Sequence, residues 1–325
     1  MLPGAVRPDP AEYAPARLVA WDSTTMELFR EALRSPGRSD VRTAVLDDLS
    51  SGYGYSPEEC VERCIHWEAH NLEEYVRRER TSSEGLADFY DTTTSWSFDL
   101  LWYAYLQAEG YEYPTSVVVA LDAMSRTSGR DHLDFGSGVG VTNQLFHRLG
   151  FRSTGADVST SLLRFARHRL DRRPEDAGID LVDLDSATLE PRSYDVVTAI
   201  DTLTHVPDLA PTLERLHGWL RPGGLLYANL DVRPRTEANA LFLYEEAASL
   251  RRLIARSGFR RVAILDGWMR VYERIDVGSR AHRQEIVRAT ARESRAAELG
   301  RRVQRRIDRG LRAFPARSGR RAASR

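Results

Sequence analysis

Short apolar runs alternate with helical patterns between residues 131 and 260. The apolar runs predict strands at His132–Phe135, Ser153–Asp157, Ile179–Asp183, Tyr194–Ile200 and Gly224–Leu230. Apolar positions at helical spacing predict helices at Val141–Leu149, Ser159–Asp171, Ala210–Leu220 and Tyr244–Ser257. Strands that are joined through helices lie parallel, because each helical crossover returns the chain to the same end of the sheet.

The pattern changes after this alternation. Arg261–Leu265 and Met269–Ile275 are both strand-like, and Asp266-Gly267 between them favours a primed hairpin turn. We therefore expect an α/β fold with a doubly wound, mostly parallel seven-stranded sheet that ends in an antiparallel hairpin.

Helical segments flank the predicted sheet on both sides. Helices are expected at Asp22–Leu33 and at Ser56–Arg80, the second one opened by a Ser cap, a proline and two acids. The segment Arg280–Phe314 also has helical composition, with apolar positions at Ile286, Val287, Leu299, Val303, Ile307 and Leu311. The predicted domains are a helical N-terminal cap over 1–86, a sheet domain over 87–276, and an Arg-rich helical C-terminal extension over 277–325 that ends in a disordered segment.

Charge is distributed unevenly along the 325 residues. Residues 277–325 contain 15 Arg and four acids, so this extension carries +11 and the remainder carries −12. Such an extension could pack its apolar positions on the body or on a second subunit of a homodimer, or it could bind phosphates or a membrane surface. It has no interleaved aromatic residues, which makes nucleic acid the less favoured partner.

Composition excludes several kinds of chemistry. All 46 basic residues are Arg, so reactions that need a lysine amine are excluded. The two cysteines, Cys60 and Cys64, cannot form a disulfide framework. No signal peptide or apolar run of membrane-spanning length is evident, and we expect a cytoplasmic protein without a transmembrane segment.

A glycine-rich turn links the first predicted strand to its helix. Gly136, Gly138 and Gly140 allow a ligand to approach the backbone closely, at the amide end of the following helix. Asp157 ends the next strand, where a carboxylate can accept both hydroxyls of a ribose. A dinucleotide-binding enzyme is the main competitor, although its third glycine would come later than Gly140.

These residues carry a family resemblance. Asp134-Phe-Gly-Ser-Gly-Val-Gly140 resembles motif I of class I (Rossmann-like) S-adenosylmethionine-dependent methyltransferases. The segment from Gly155 to Arg167 is similar to their second-strand motif. Tyr194 to Val206 resembles their fourth strand, and Leu220-Arg-Pro-Gly-Gly-Leu-Leu226 the turn into their fifth. The resemblance covers about 87–276 and implies S-adenosylmethionine as cofactor, with S-adenosylhomocysteine as product.

The resemblance also implies a role for individual residues. The loop would cradle the methionine end and the sugar, Asp134 would bind the methionine amine, and Asp157 would hold the ribose. Asp183 would contact the adenine edge, with Asp185 as an alternative. The full set of expected cofactor contacts is Tyr90, Trp96, Asp134, Gly136, Ser137, Gly138, Gly140, Asp157, Val158, Asp183, Leu184, Ala199 and Ile200.

Catalytic and acceptor-binding candidates are fewer. His205 is the best candidate for a general base, although it could instead be a wall residue of the cofactor pocket. Tyr90 and Trp96 could face a sulfonium, since aromatic faces favour cations, or simply pack in the core. The candidate acceptor contacts are His66, His70, Tyr103, Arg233 and Arg235, and no metal is expected.

Cys60, Cys64, His66 and His70 resemble a metal cluster in composition only. On one continuous helix the cysteine pair and the histidine pair point in different directions, so one tetrahedral site cannot use all four. The histidines could instead contact substrate or lie on a solvated face.

The expected function is methyl transfer from S-adenosylmethionine to a small-molecule acceptor, a secondary metabolite of a bacterium or the precursor of one. Two alternatives remain open. One is a protein that binds S-adenosylmethionine without transferring its methyl group, and the other is a nucleic-acid methyltransferase anchored by the Arg-rich extension.

Overall fold

A computed structural model describes residues 15–76, 83–232 and 243–291. Its seven strands form one sheet in the order β3-β2-β1-β4-β5-β7-β6. The strands are β1 Asp131–Phe135, β2 Arg152–Asp157, β3 Asp180–Asp183, β4 Tyr194–Ala199, β5 Leu220–Asn229, β6 Phe259–Leu265 and β7 Met269–Arg274. Strands β1 to β5 pair in parallel, and β7 pairs antiparallel with both β5 and β6. The predicted fold class is confirmed.

Helices precede the sheet and cover both of its faces. The N-terminal helices are α1 Pro15–Trp21, α2 Thr24–Leu33, α3 Val41–Tyr53, α4 Pro57–Ile65, α5 Trp67–Val76, α6 Ser83–Thr92, α7 Ser95–Ala108 and α8 Thr115–Arg126. The crossover helices are α9 Val141–Arg148, α10 Thr160–Asp171, α11 Leu209–Trp219 and α12 Ala247–Arg256. Residues 280–291 form a further helix, α13. No helix in the described ranges is long and apolar enough to cross a membrane.

The sheet has a separate apolar core on each face. Val196 and Val197 are consecutive in β4 and both fully buried, yet they belong to different cores because side chains alternate across a strand. One core contains side chains of the N-terminal helices, α9 and α10, whereas the other contains those of α11 and α12. This two-sided burial explains why the strands are continuous apolar runs in the sequence.

The terminal hairpin forms as its turn residues predict. Asp266 and Gly267 have φ angles of 45° and 74°, and two positive φ angles are the signature of a primed turn. The Asp266 carboxylate also accepts bonds from the Ala16 and Arg17 amides at 3.2 and 3.1 Å. The hairpin turn thereby fixes the start of α1.

Three helix predictions are wrong in detail. The helix expected over Ser56–Arg80 is interrupted at His66, whose φ and ψ of −109° and 25° leave the helical region, and residues 77–80 lie outside the described part. The helix expected from Tyr244 begins at Ala247, because the backbone of Glu246 is extended, with φ and ψ of −121° and 105°. On α13, Val287 is 66% exposed rather than part of an apolar stripe.

The buried face of α13 is formed by other residues, His282, Glu285 and Ala289. Helices α1, α3, α6 and α8 were not predicted as individual helices. The expected continuation of the C-terminal helix and its disordered end lie outside the described residues.

Candidate functional site

The strand order creates a crevice between β1 and β4. The chain moves outward from β1 to β2 and β3, then returns to β4 on the other side. Crossover loops therefore leave β1 and β4 in opposite directions, and ligands bind in α/β sheets at the carboxyl ends of such strands. Nearly all of the predicted cofactor residues follow the carboxyl ends of β1, β2, β3 and β4, so the fold brings them to one edge of the sheet.

The glycine loop after β1 needs its glycines. Gly136, Gly138 and Gly140 have φ angles of 77°, 53° and 77°, a region that other residues rarely adopt. A Cβ on Gly136 would also lie 2.4 Å from the Thr202 side chain. Within the loop, the Ser137 hydroxyl oxygen is buried and has no hydrogen-bond partner in the described protein, so a bound ligand could satisfy it.

Asp157 is held beside this loop by backbone amides. Its Oδ2 accepts from the Gly138 amide and its Oδ1 from the Ser159 amide, each at 2.9 Å. Burial raises the pKa of this carboxyl, while the backbone amides that bind it oppose the rise. Each oxygen of an ionised carboxylate has a second lone pair, so Asp157 can still accept two ligand hydroxyls.

Asp134 lies at the end of a buried polar chain. Thr198 donates from its hydroxyl to Asp134 Oδ1 at 2.6 Å, and His132 Nε2 lies 2.9 Å from the same hydroxyl. Ser153 contacts His132 Nδ1 at 2.8 Å and accepts from Asn143 Nδ2 at 3.0 Å.

Burial sets the protonation states of these hydrogen-bonded side chains. It raises the pKa of Asp134 to about 7 and lowers that of His132 to about 3, so the imidazole is neutral. When Asp134 is ionised, the one proton of Thr198 points to it and His132 must donate from Nε2. This polar chain was not recognised in the sequence. The only sequence feature that indicated these hydrogen bonds was a histidine inside a predicted buried strand.

The adenine-side candidates follow β2 and β3. The Leu184 amide donates to the Asp157 carbonyl at 2.9 Å, which places the end of β3 beside the ribose candidate. Val158 and Leu184 belong to the same apolar core. Asp183 accepts from the Asp185 amide at 2.9 Å, whereas the Asp185 side chain is exposed.

The two predicted aromatic contacts lie near the end of β2. Tyr90 and Trp96 are half-buried, with ring centroids 5.3 Å apart. The Ser159 hydroxyl donates to the Tyr90 carbonyl at 2.7 Å, next to Asp157. Helix α7, which carries Trp96, is capped by Glu74 of α5, whose Oε2 accepts from the Ser95 hydroxyl at 2.6 Å.

Asp99 was missed by the sequence analysis. It lies on α7 between Trp96 and Tyr103, and no hydrogen bond or ion pair engages its carboxyl in the described part of the chain. Burial, then Asp201 and Glu68, raise the pKa of Asp99 to about 7. Burial, followed by Glu112 and Asp201, raises the pKa of Tyr103 to about 12.

The remaining candidates are distributed around the crevice and beyond it. Ala199 ends β4 fully buried, Ile200 follows it half-buried, and His205 lies in the short 3₁₀ turn Leu203–His205.

The candidates on the N-terminal helices lie elsewhere. His66 is exposed, and His70 Nε2 lies 3.1 Å from Glu62. Arg233 and Arg235 lie outside the described residues. Cys60 and Cys64 are buried free thiols, and no metal-binding group of His, Cys, Asp and Glu is found within the described ranges.

The chain is similar to known proteins over part of its length. Residues 133–226 match the methyltransferase domain family. The chain is 31% identical over 148 residues to a ubiquinone biosynthesis O-methyltransferase of Xanthomonas campestris, covering 43% of this chain and 61% of the relative. It is 31% identical over 112 residues to one of Albidiferax ferrireducens, covering 34% and 44%. The chain thus spans about half the length of these curated relatives.

Solved structures with a similar fold include phosphoethanolamine N-methyltransferase 2 of Haemonchus contortus in complex with S-adenosyl-L-methionine. That chain has 21% identity and a TM-score of 0.45, over 53% of this chain and 44% of its own. A second is an S-adenosylmethionine-dependent methyltransferase from Mesorhizobium loti, with 21% identity and a TM-score of 0.40, over 49% and 98%.

The sheet order, the glycine loop and Asp157 define a Rossmann-like nucleotide-binding domain with its site at the β1–β4 crevice. The methyltransferase domain match covers only 133–226, and over that segment these features are similar to those of the class I S-adenosylmethionine-dependent methyltransferases. The competing dinucleotide-binding interpretation is thereby set aside.

Proposed function

We propose that the chain transfers a methyl group from S-adenosylmethionine to a small-molecule acceptor and releases S-adenosylhomocysteine. The observation that carries this proposal is the Asp157 carboxylate, which is fixed by Gly138 and Ser159 amides beside a loop with positive φ angles. This arrangement supplies ribose acceptors and close backbone approach in one place.

The residues present suit this cofactor. Asp157 would hold the ribose hydroxyls, and the unpartnered Ser137 hydroxyl supplies a further polar contact within the loop. Asp134 would receive the methionine ammonium, since Thr198 occupies only one of its oxygens. The apolar side chains of Val158 and Leu184 would enclose the adenine, with Asp183 or Asp185 at its edge.

The cofactor supplies an activated methyl group on a positively charged sulfur. The protein then has to align the acceptor, exclude water and, where the acceptor carries a proton, remove it. Tyr90 and Trp96 would shield the crevice from water. His205, half-buried just beyond β4, would receive the proton.

Binding is the first test of this proposal. Calorimetric titration of the whole chain with S-adenosylmethionine and S-adenosylhomocysteine should show affinity for both. Asp157→Ala should abolish it, and Asp208→Asn, an exposed acid after β4, should not. Absence of binding by the unaltered protein would refute the proposal.

Activity assays are needed to identify the acceptor. The curated relatives are named for O-methylation in ubiquinone biosynthesis, but two of them match over only 34% and 43% of this chain, so small hydroxylated compounds are only the first to test. A natural-product precursor remains our proposed acceptor class. Methylated product with unaltered protein, reduced in His205→Ala, would exclude a purely cofactor-binding role.

We further propose a cytoplasmic bacterial enzyme that does not act on nucleic acid and that forms a homodimer. Sedimentation equilibrium tests the pairing. Steeply salt-dependent RNA or DNA binding would favour the nucleic-acid alternative.

A further inference from the structure

One face of α7 looks into the crevice. The side chains of Trp96, Asp99, Leu100 and Tyr103 are half-buried, whereas their neighbours Ser97, Phe98, Leu101 and Trp102 are buried. At 100° per residue these four positions fall within about 100° of arc, so they form one stripe along the helix. Leu100 Cδ1 lies only 2.7 Å from the point where a Cβ on Gly138 would be. The stripe therefore faces the glycine loop.

Asp99 is the only acidic residue of this stripe, and its surroundings are negative. Asp201, which follows β4, and Glu68, on the neighbouring helix α5, both disfavour its ionised form. No cationic side chain pairs with it among the described residues, although such a carboxyl is normally paired when it is withdrawn from water. A ligand cation would supply the missing partner.

The two aromatic neighbours suit the same ligand. Trp96 precedes Asp99 by three residues and Tyr103 follows it by four, so both rings lie on its side of the helix. Aromatic faces attract cations, whether the charge is on sulfur or on nitrogen. We propose that Asp99, flanked by Trp96 and Tyr103, forms a subsite for an onium group. That group is either the sulfonium of the cofactor or an ammonium group of the acceptor.

This inference rests on the proposed function, and two titrations separate the sources. The first compares S-adenosylmethionine with S-adenosylhomocysteine, which lacks the sulfonium charge, in unaltered protein and in Asp99→Asn. The second adds ethylammonium chloride to the complex with S-adenosylhomocysteine, with potassium chloride as the ionic-strength control. Glu214→Gln, which removes an exposed carboxylate from α11, is the matched variant.

If the ligand is the sulfonium, Asp99→Asn weakens S-adenosylmethionine about tenfold and S-adenosylhomocysteine less than about twofold, because only the former carries the charge. If the ligand is the acceptor's ammonium, Asp99→Asn changes the affinities for the two cofactors equally and abolishes the saturable binding of ethylammonium. Glu214→Gln changes neither.

Equal cofactor effects together with no Asp99-dependent ethylammonium binding would overturn the inference alone. Failure of the unaltered protein to bind either cofactor would overturn the proposed function, and this inference with it.

Discussion

Arg173 donates from Nη2 to Asp48 Oδ2 at 2.6 Å, and both side chains are fully buried. Asp48 belongs to α3, and Arg173 follows α10. A second buried arginine, Arg169, donates from Nε to the same Asp48 oxygen at 3.1 Å and from Nη1 to the Val139 carbonyl at 2.6 Å. One carboxylate therefore connects the N-terminal helices to the glycine loop itself.

Removing this carboxylate should destabilise the whole protein. Asp48→Asn leaves two buried guanidinium groups without their counter-ion, and the expected loss is about 3–5 kcal/mol of unfolding free energy. Urea denaturation measures it. Glu27→Gln is the control, because it breaks the Arg34 pair at 2.7 Å whose partners are 33% and 48% exposed, and it should cost less than about 1 kcal/mol. Equal effects of the two substitutions would contradict the prediction.

The sequence predicted the parts of the fold that local patterns encode. The glycine loop, the alternating strands and the Asp266-Gly267 turn are each specified by adjacent residues, and all three are present. The Asp48 cluster could not be predicted, because its partners are separated by 121 and 125 residues. Asp99 was missed for a similar reason, since its significance comes from Asp201 and Glu68 on other elements.

Thr198 should matter more than its size suggests. Thr198→Val keeps the shape of the side chain but leaves the Asp134 carboxyl and His132 Nε2 without their shared partner. We expect a loss of about 2–3 kcal/mol in unfolding free energy and weaker S-adenosylmethionine binding. Thr212→Val is the control, since it removes a hydroxyl bonded at 3.2 Å to the Asp208 carbonyl of its own helix. If the Thr198 variant is as stable as the Thr212 variant, the hydrogen bonds that Thr198 makes to Asp134 and His132 are dispensable for stability.

Gly136 and Gly37 permit backbone strain and steric collision to be separated. Their φ angles are 77° and 78°, but a Cβ on Gly136 would meet Thr202 at 2.4 Å and one on Gly37 would meet nothing within 4 Å. Gly37→Ala should cost about 1 kcal/mol from the dihedral angle alone. Gly136→Ala should cost at least about 2 kcal/mol and abolish calorimetric binding of S-adenosylhomocysteine. Matching losses in both variants would mean that the loop moves away from Thr202 without difficulty.

The raised pKa of Asp99 predicts a pH-dependent gain in stability for Asp99→Asn. A carboxyl with a pKa of about 7 in the folded protein and 3.8 as its ordinary value binds its proton more tightly when folded. Stability is therefore fully present below the lower value and declines as the pH rises toward 7. The amide cannot ionise, so Asp99→Asn should equal the unaltered protein at pH 4 and exceed it at pH 8, by about 1–2 kcal/mol after screening in the half-open crevice.

Urea denaturation of both proteins at pH 4, 6 and 8 measures this difference, with Glu214→Gln showing no such trend. A constant difference across the three pH values would mean that Asp99 is not the group that titrates. A loss of stability at pH 8 would instead mean that the ionised carboxylate has a stabilising partner, and the onium subsite would lose its rationale.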